Sequence, residues 1–447
     1  MKGLLMLVDF KFENFLSYKD ETKFSMRAGN TRKHRDHIIN TGSPGILKFA
    51  ALYGGNASGK SNFIKALKFS KQVILEGIDE IDTSDKCCRT NEDCSDLKTK
   101  FTYVINIDNA LYEYSFSILM KKALIQSEYL KILDSGVYLF KKSFSNNHNK
   151  IELDIDYLKF NKADKNRIEV YKSDFKQSKS KLFLTELNNG KEIFYVRGNK
   201  SIINEVFVWF KDKLEISLAN EVFSSSYSIF RGGRIEELTN FLSEAGTGVS
   251  DITRQEVEQH EVEKELIKKQ TLESIKKKIL ETENVSFSLV KTPNNLIFIT
   301  KIPSSNDFIY EKLLFIHENS SAKYTLGEES DGTVRLVEIY DLLASVSNKV
   351  FILDEIDRSL HPNLTYGLIK KFLSQSKNSQ LIVTTHEDRL LDLNLLRRDE
   401  IWFVDKNSQG YSTLTTLEDF KERFDRDILS AYLDGRYGAI PKISLIH

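Results

Sequence analysis

"YGGNASGKSN", residues 53–62, decides the reading of this chain. It fits the pattern G-x-x-x-x-G-K-S/T at Gly54, Gly59, Lys60 and Ser61. Just before it, "ILKFAALYG" reads as a buried strand. Just after it, "KSNFIKALKFSKQVILEG" sets Phe63, Leu67, Val73 and Ile74 roughly on one helical face. Strand, glycine loop and helix, in that order, are the context in which this pattern means a phosphate cradle. Gly54, Gly55 and Gly59 leave room for close backbone approach, so the loop, with Asn56, Ala57, Ser58 and Asn62, can wrap a triphosphate with its N–H groups. Lys60 supplies a point charge to the terminal phosphates and Ser61 a hydroxyl to Mg2+. The helix N-terminus adds its partial positive charge. A nucleoside triphosphate with Mg2+ is therefore expected.

Three later stretches carry matching chemistry. "KVFILDEID" (349–357) has four apolar residues, Val350 to Leu353, followed by Asp354 and Glu355. A buried strand ending in an acid sets Asp354 to hold Mg2+ through water, and Glu355 to orient or deprotonate an attacking water. "LIVTTHEDRL" (381–390) ends an apolar strand on His386, which can reach a γ-phosphate. "TLGEESDGTVRLVEIYDLL" (325–343) opens a helix at Ser330 and Gly332, a second phosphate-accepting helix start. In a two-site arrangement that helix start would meet the nucleotide of a partner copy.

The 447 residues, 40% hydrophobic and 29% charged, suit a folded chain of two or three domains or one domain with a large insertion. Lys+Arg and Asp+Glu stand at 64 each, so net charge gives no reason to expect a nucleic-acid coat. Cys87, Cys88 and Cys94 are too few for a disulfide framework and lack paired C-x-x-C spacing, so they read as structural or incidental thiols in a reducing, cytoplasmic setting. No apolar run of about 18 residues exists, and the N-terminus reads as a strand, so neither a membrane span nor a signal peptide is expected.

Residues 5–26 alternate as strands, 27–45 form a polar, basic loop, and 99–133 are strand-like with a turn at "DNA" (108–110). Residues 137–200 are polar and Lys-rich, and 201–217 read as a helix. Residues 255–284 read as one long charged helix, either solvated and packed on one stripe or a short coiled-coil arm. The last 120 residues alternate helix and strand. The expected fold is α/β: N-terminal antiparallel strands, a doubly wound parallel sheet, and an inserted lobe with a helical arm. The expected division is 1–130 (first ATPase half), 131–320 (inserted lobe) and 321–447 (second ATPase half). "KADKNRIEVYKSDFKQSKSKLFL" (162–184) is either a solvated surface or a contact for a phosphate backbone.

Phosphate loop, serine–glycine helix start, Asp–Glu strand, "RSLHP" and a late histidine follow one another in the order of ABC-class ATPases. More closely, the chain resembles the compact SMC-like and overcoming-lysogenization-defect group. "ALYGGNASGKSNFIKAL", "ESDGTVR", "ILDEIDRSLHP" and "AYLDGRYGAIP" together resemble bacterial AAA-family ATPases of anti-phage, abortive-infection operons, such as those of the PARIS and Septu systems. The resemblance implies an ATP-hydrolysing P-loop fold of the ABC type and head-to-tail dimers with two ATP–Mg2+ sandwiched between copies. Lys60, Ser61, Asp354, Glu355 and His386 would come from one copy, and Ser330 and Gly332 from the other. Asp357, Ser359 and His361 match the loop that couples the sites, and Gln126 is a candidate for the glutamine loop. A long zinc-hook coiled coil and a TOPRIM nuclease tail are not seen. The implied partners are a second copy, a separate TOPRIM-like or HNH nuclease or toxin effector, and a phage protein as trigger. The alternatives are a repair ATPase that clamps DNA and a nucleotide-dependent scaffold that binds ATP and barely hydrolyses it.

Overall fold

The computed structural model describes residues 4–42, 45–79, 81–88, 97–196, 199–219, 235–266, 269–281, 287–303, 305–344, 348–420 and 428–438. The chain divides into two compact units. The first is Met1–Ala219 with Val346–Ile356 and Ile369–His447, and the second is Asn220–Ser345 with Asp357–Leu368.

The first unit holds two large sheets. One is antiparallel and seven-stranded, in the order His148–Leu153, Tyr138–Ser145, Leu124–Ile132, Ala110–Leu119, Lys98–Ile107, Leu5–Glu13, Thr22–Ser25. The turn expected at 108–110 forms with Asp108 and Asn109 at φ +52° and +67°. Left-handed backbone at both central positions matches the right-handed twist of the flanking strands. The second sheet has the order Leu214–Ser217, Val350–Leu353, Gln380–Thr384, Phe49–Tyr53, Ile401–Lys406, Ser412–Thr416. Its first five strands are parallel and the last is antiparallel. Val350–Leu353, Gln380–Thr384 and Phe49–Tyr53 are buried at every residue, the continuous apolar run that a doubly covered parallel strand requires.

The helix Lys60–Glu76 carries Phe63 into the antiparallel sheet, with ring centroids 6.0 Å from Phe10, 6.0 Å from Phe12 and 5.3 Å from Phe24. Ile382, Trp402 and Val404 join the same core. Gln380 fastens one sheet to the other. Its Oε1 accepts from Leu7 N–H (2.8 Å), and its Nε2 donates to Leu7 O (3.0 Å) and Leu47 O (3.1 Å). The side chain is fully buried.

Several elements differ from expectation. Residues 131–219, expected in the inserted lobe, belong to the first unit: Tyr138–Ser145 and His148–Leu153 extend the antiparallel sheet. Their solvent-facing alternation made the stretch look merely polar. The helix expected over 201–217 stops early. Ile202–Val208 is α-helical, Trp209–Lys213 forms a π-helical turn, and Leu214–Ser217 is a strand paired with Val350–Leu353. Cys87 is disulfide-bonded, where structural or incidental thiols were expected. Cys88 is a buried free thiol, and Cys94 lies outside the described residues.

In the second unit, Val249–Glu256, Phe308–His317, Leu296–Lys301 and Phe287–Lys291 form an antiparallel sheet. The long helix expected over 255–284 is not continuous. Its start lies in the strand Val249–Glu256, and two helices follow, Gln259–Glu265 and Lys269–Glu281, with Leu266 extended between them. Residues 267, 268 and 282–284 lie outside the described residues. The apolar stripe Val262, Leu272 and Ile279 packs on Ile297, Ile299 and Tyr310, so it is satisfied within its own unit. Among the described residues no helix is long and apolar enough to cross a membrane.

Gln380→Leu would keep the side-chain volume but orphan one buried N–H and two buried carbonyls. A loss of about 2–5 kcal/mol in unfolding free energy is expected, read from urea titrations followed by tryptophan fluorescence.

Candidate functional site

The strand Phe49–Tyr53 leads directly into the glycine loop, and two features fit that loop to a phosphate group. A Cβ at Gly54 would lie 2.4 Å from Val404 O and 2.6 Å from Ser58 Oγ. Gly59 sits at φ +122°, where a Cβ would meet Ser412 Oγ at 2.2 Å. Neither position accepts a side chain, so the backbone is the lining. Asn56 and Ala57 are exposed at the tip, with Ala57 left-handed at φ +62°. Ser58 is buried, and its Oγ has no hydrogen-bond partner among the described residues. Lys60 Nζ turns back on the loop and donates to the carbonyls of Gly54 and Gly55. An ammonium gathered onto neutral carbonyls is placed to exchange them for anionic oxygens, which bind it more strongly. Ser61 stands in the first turn of the helix that begins at Lys60.

The loop is braced by residues with no motif signal. Ser412 Oγ bonds to Ser58 O (2.5 Å) and Ser17 Oγ (2.7 Å), and Asn62 Nδ2 donates to Ser17 Oγ (2.9 Å). Tyr18 Oη donates to Gly59 O (3.2 Å), and burial raises its pKa strongly, so the phenol stays a neutral donor. Ser17 and Tyr18 lie in the turn between the first two antiparallel strands. Ser412 opens the last strand of the parallel sheet, 395 residues after Ser17.

Asp354 and Glu355 follow the strand Val350–Leu353. Asp354 is 4% exposed, and its N–H donates to Ser217 O (3.0 Å). Thr384, fully buried at the end of the neighbouring strand, joins the two acids. Its Oγ1 donates to Asp354 Oδ1 (2.6 Å) and accepts from Glu355 N–H (2.8 Å). Glu355 is half-buried and left-handed, φ +51°. For a non-glycine residue this backbone must be held by its surroundings. The Thr384 bond to Glu355 N–H and that of Ile356 N–H to Thr384 O (3.1 Å) do so. His386, two residues on, is exposed. The parallel sheet thus brings residues 54–61, 354–355 and 386 to the same end of adjacent strands.

Ser330 and Gly332 belong to the second unit and are described there. Ser330 is exposed, and its Oγ accepts from Thr333 N–H (3.2 Å), capping the helix Asp331–Ala344. A Cβ at Gly332 would stand 3.0 Å from Ser359 O, so the helix start and the "RSLHP" segment meet backbone to backbone. Ser359 is left-handed, φ +58°. Gln126 lies on Leu124–Ile132, a strand of the antiparallel sheet. Sequence reasoning missed Thr384, Ser412, Ser17 and Tyr18. Of these, only Thr384 carried a signal, as the last residue of an apolar strand in "LIVTTHE".

A family model described as "AAA domain, putative AbiEii toxin, Type IV TA system" matches residues 49–392. "Septu protein PtuA" of Bacillus mycoides (strain KBAB4) is 24% identical over 183 residues, 39% of this chain. The match spans 25% of that protein's length. Among solved structures, one described as "Crystal structure of the SmcHead bound to the C-winged helix domain of ScpA" shares 13% identity with a TM-score of 0.38, covering 92% of this chain and 97% of that one. "SMC head domain from Thermotoga maritima" shares 13% identity with a TM-score of 0.35, covering 93% and 99%. Neither superposition is close enough to align residues.

Thr384→Val is isosteric but removes the hydroxyl shared by Asp354 and Glu355. It is expected to cost about 1–3 kcal/mol of stability, with Thr384→Ser regaining most of it, as read by chemical denaturation.

Proposed function

The chain belongs to the AAA-domain family whose model spans residues 49–392, and on that premise we propose that it is the ATP-binding and ATP-hydrolysing subunit of an anti-phage defence complex that controls a separate nuclease or toxin. One observation carries the enzymatic part of this reading. The glycine loop, the Thr384-tethered acids Asp354 and Glu355, and His386 stand at one end of three adjacent parallel strands. The defence role is supported by the family description and by the likeness to the Septu protein over part of its length.

Bound ATP would supply the phosphoanhydride bond, and Mg2+ would offset the charge of its terminal phosphates. Residues 54–62 would hold those phosphates through backbone N–H groups and the Lys60 ammonium. Ser61 and Asp354 would hold Mg2+, with Thr384 fixing the Asp354 carboxylate. Glu355 would take a proton from water, its carboxylate aimed by the backbone that Thr384 holds, and His386 would hydrogen-bond a phosphate oxygen. Ser330 and Gly332 would complete the site from a second copy, the Ser330 hydroxyl exchanging its helix-cap bond for a phosphate oxygen. The protein would work in the cytoplasm, with a second copy and an effector as partners.

Glu355→Gln is expected to lower ATP turnover at least about 10²-fold while an ATP analogue still binds, measured by phosphate release and fluorescence titration. Wild-type turnover in this variant would overturn the role of Glu355. Lys60→Ala is expected to lose analogue binding and, in cells carrying the native operon, protection against phage. Full protection by a variant verified not to bind ATP would contradict the defence reading.

A further inference from the structure

The geometry points to a transition-metal site, separate from the nucleotide loop, built from His34, Asp36 and His37 and taking a divalent cation of the Zn2+ class. The candidate ligand atoms of these residues all lie within 4.8 Å of one another. Asp36 and His37 lie in the 3-10 turn Arg35–His37 and His34 stands at its start, inside what the sequence showed only as a polar, basic loop.

Each imidazole is held in the manner of a metal ligand. His34 Nε2 lies 3.0 Å from Leu393 O. A carbonyl only accepts, so Nε2 carries the proton and the Nδ1 lone pair is left for a cation. His37 Nδ1 lies 3.0 and 3.1 Å from the two oxygens of Glu400, which is fully buried. With Nδ1–H donated to that carboxylate, Nε2 presents its lone pair 4.0 Å from Asp36 Oδ2. Carboxylate–histidine–metal and carbonyl–histidine–metal relays are the usual outer support of such sites, and they fix both tautomer and ring direction.

A plain buried ion pair accounts for His37 and Glu400 but not for His34. Its backbone is left-handed, φ +49° and ψ +52°, and its ring stacks on His37 with centroids 4.9 Å apart. Such backbone is costly and has to be held by its surroundings. Lys48, whose amine lies near Asp36 and Glu400, opposes a cation, and the Asp36 and Glu400 carboxylates offset its charge. Asp36 is exposed and can rotate to close the coordination shell, with water in the remaining position. Two imidazoles and one carboxylate favour Zn2+ over Mg2+ or Ca2+.

The site stands beside Lys48, at the start of the strand Phe49–Tyr53 whose other end opens into the glycine loop. Five extended residues separate the two ends by about 16 Å, so this is not the Mg2+ position beside Ser61. A cation here would pin residues 31–37, whose carbonyls at Thr31 and Lys33 already accept from Arg397, to the turn that carries Glu400.

The full chain, stripped with chelator and equilibrated with Zn2+ without nucleotide, is expected to retain about one Zn2+ per chain by elemental analysis and to melt at a higher temperature. His34→Ala and Asp36→Asn change partly exposed side chains and should fold. Each is expected to weaken Zn2+ binding at least tenfold and to abolish the melting shift, whereas Lys60→Ala retains both. If wild type binds no Zn2+, or if both site variants bind as wild type does, the proposal falls. Should His34→Ala unfold, Asp36→Asn decides alone.

Discussion

The strand Gln380–Thr384, paired in parallel with Val350–Leu353 on one side and Phe49–Tyr53 on the other, is the constraint on which the site depends. Parallel pairing brings strand ends level, so segments about 300 residues apart leave the sheet together. Both ends of this strand do more than pair. Gln380 at its start satisfies backbone groups of Leu7 and Leu47, joining the antiparallel sheet to the parallel one. Thr384 at its end joins Asp354 to Glu355. One short apolar strand therefore links the stability of the first unit to the placement of its acids.

Much of this was legible because the relevant chemistry is local. The glycine loop, the Asp–Glu strand and the late histidine each announce themselves through a few residues next to an apolar run. Strand, helix and turn boundaries around them followed from periodicity. Less legible was everything set by distant partners. "LEIS" (214–217) carries too few residues to declare itself a strand, and only its pairing with Val350–Leu353 makes it one. The charged stretch 255–284 has helical spacing almost throughout, yet Leu266 is extended there and the apolar stripe is buried against its own sheet. Ser17, Tyr18 and Ser412 support the loop through bonds that span 41 to 395 residues, and no local pattern encodes such bonds.

The helix start at Ser330 would join the proposed site only through a second copy. Its hydroxyl caps its own helix, and Gly332 is pressed against the carbonyl of Ser359. A Cβ at Gly332 would crowd that carbonyl, so the helix start and the "RSLHP" segment pack closely at this point. In the proposed dimer, a change felt at one helix start would pass to residues 357–361 through that backbone contact.

The claim that each ATP is held by two copies is tested most directly by mixing two inactive variants, Lys60→Ala and Ser330→Arg. In an equal mixture half the dimers are mixed, and each mixed dimer has one complete site of two, so about a quarter of wild-type ATP turnover should return. If both variants are inactive alone and the mixture stays inactive although mixed dimers are shown to form, the two-copy site is contradicted.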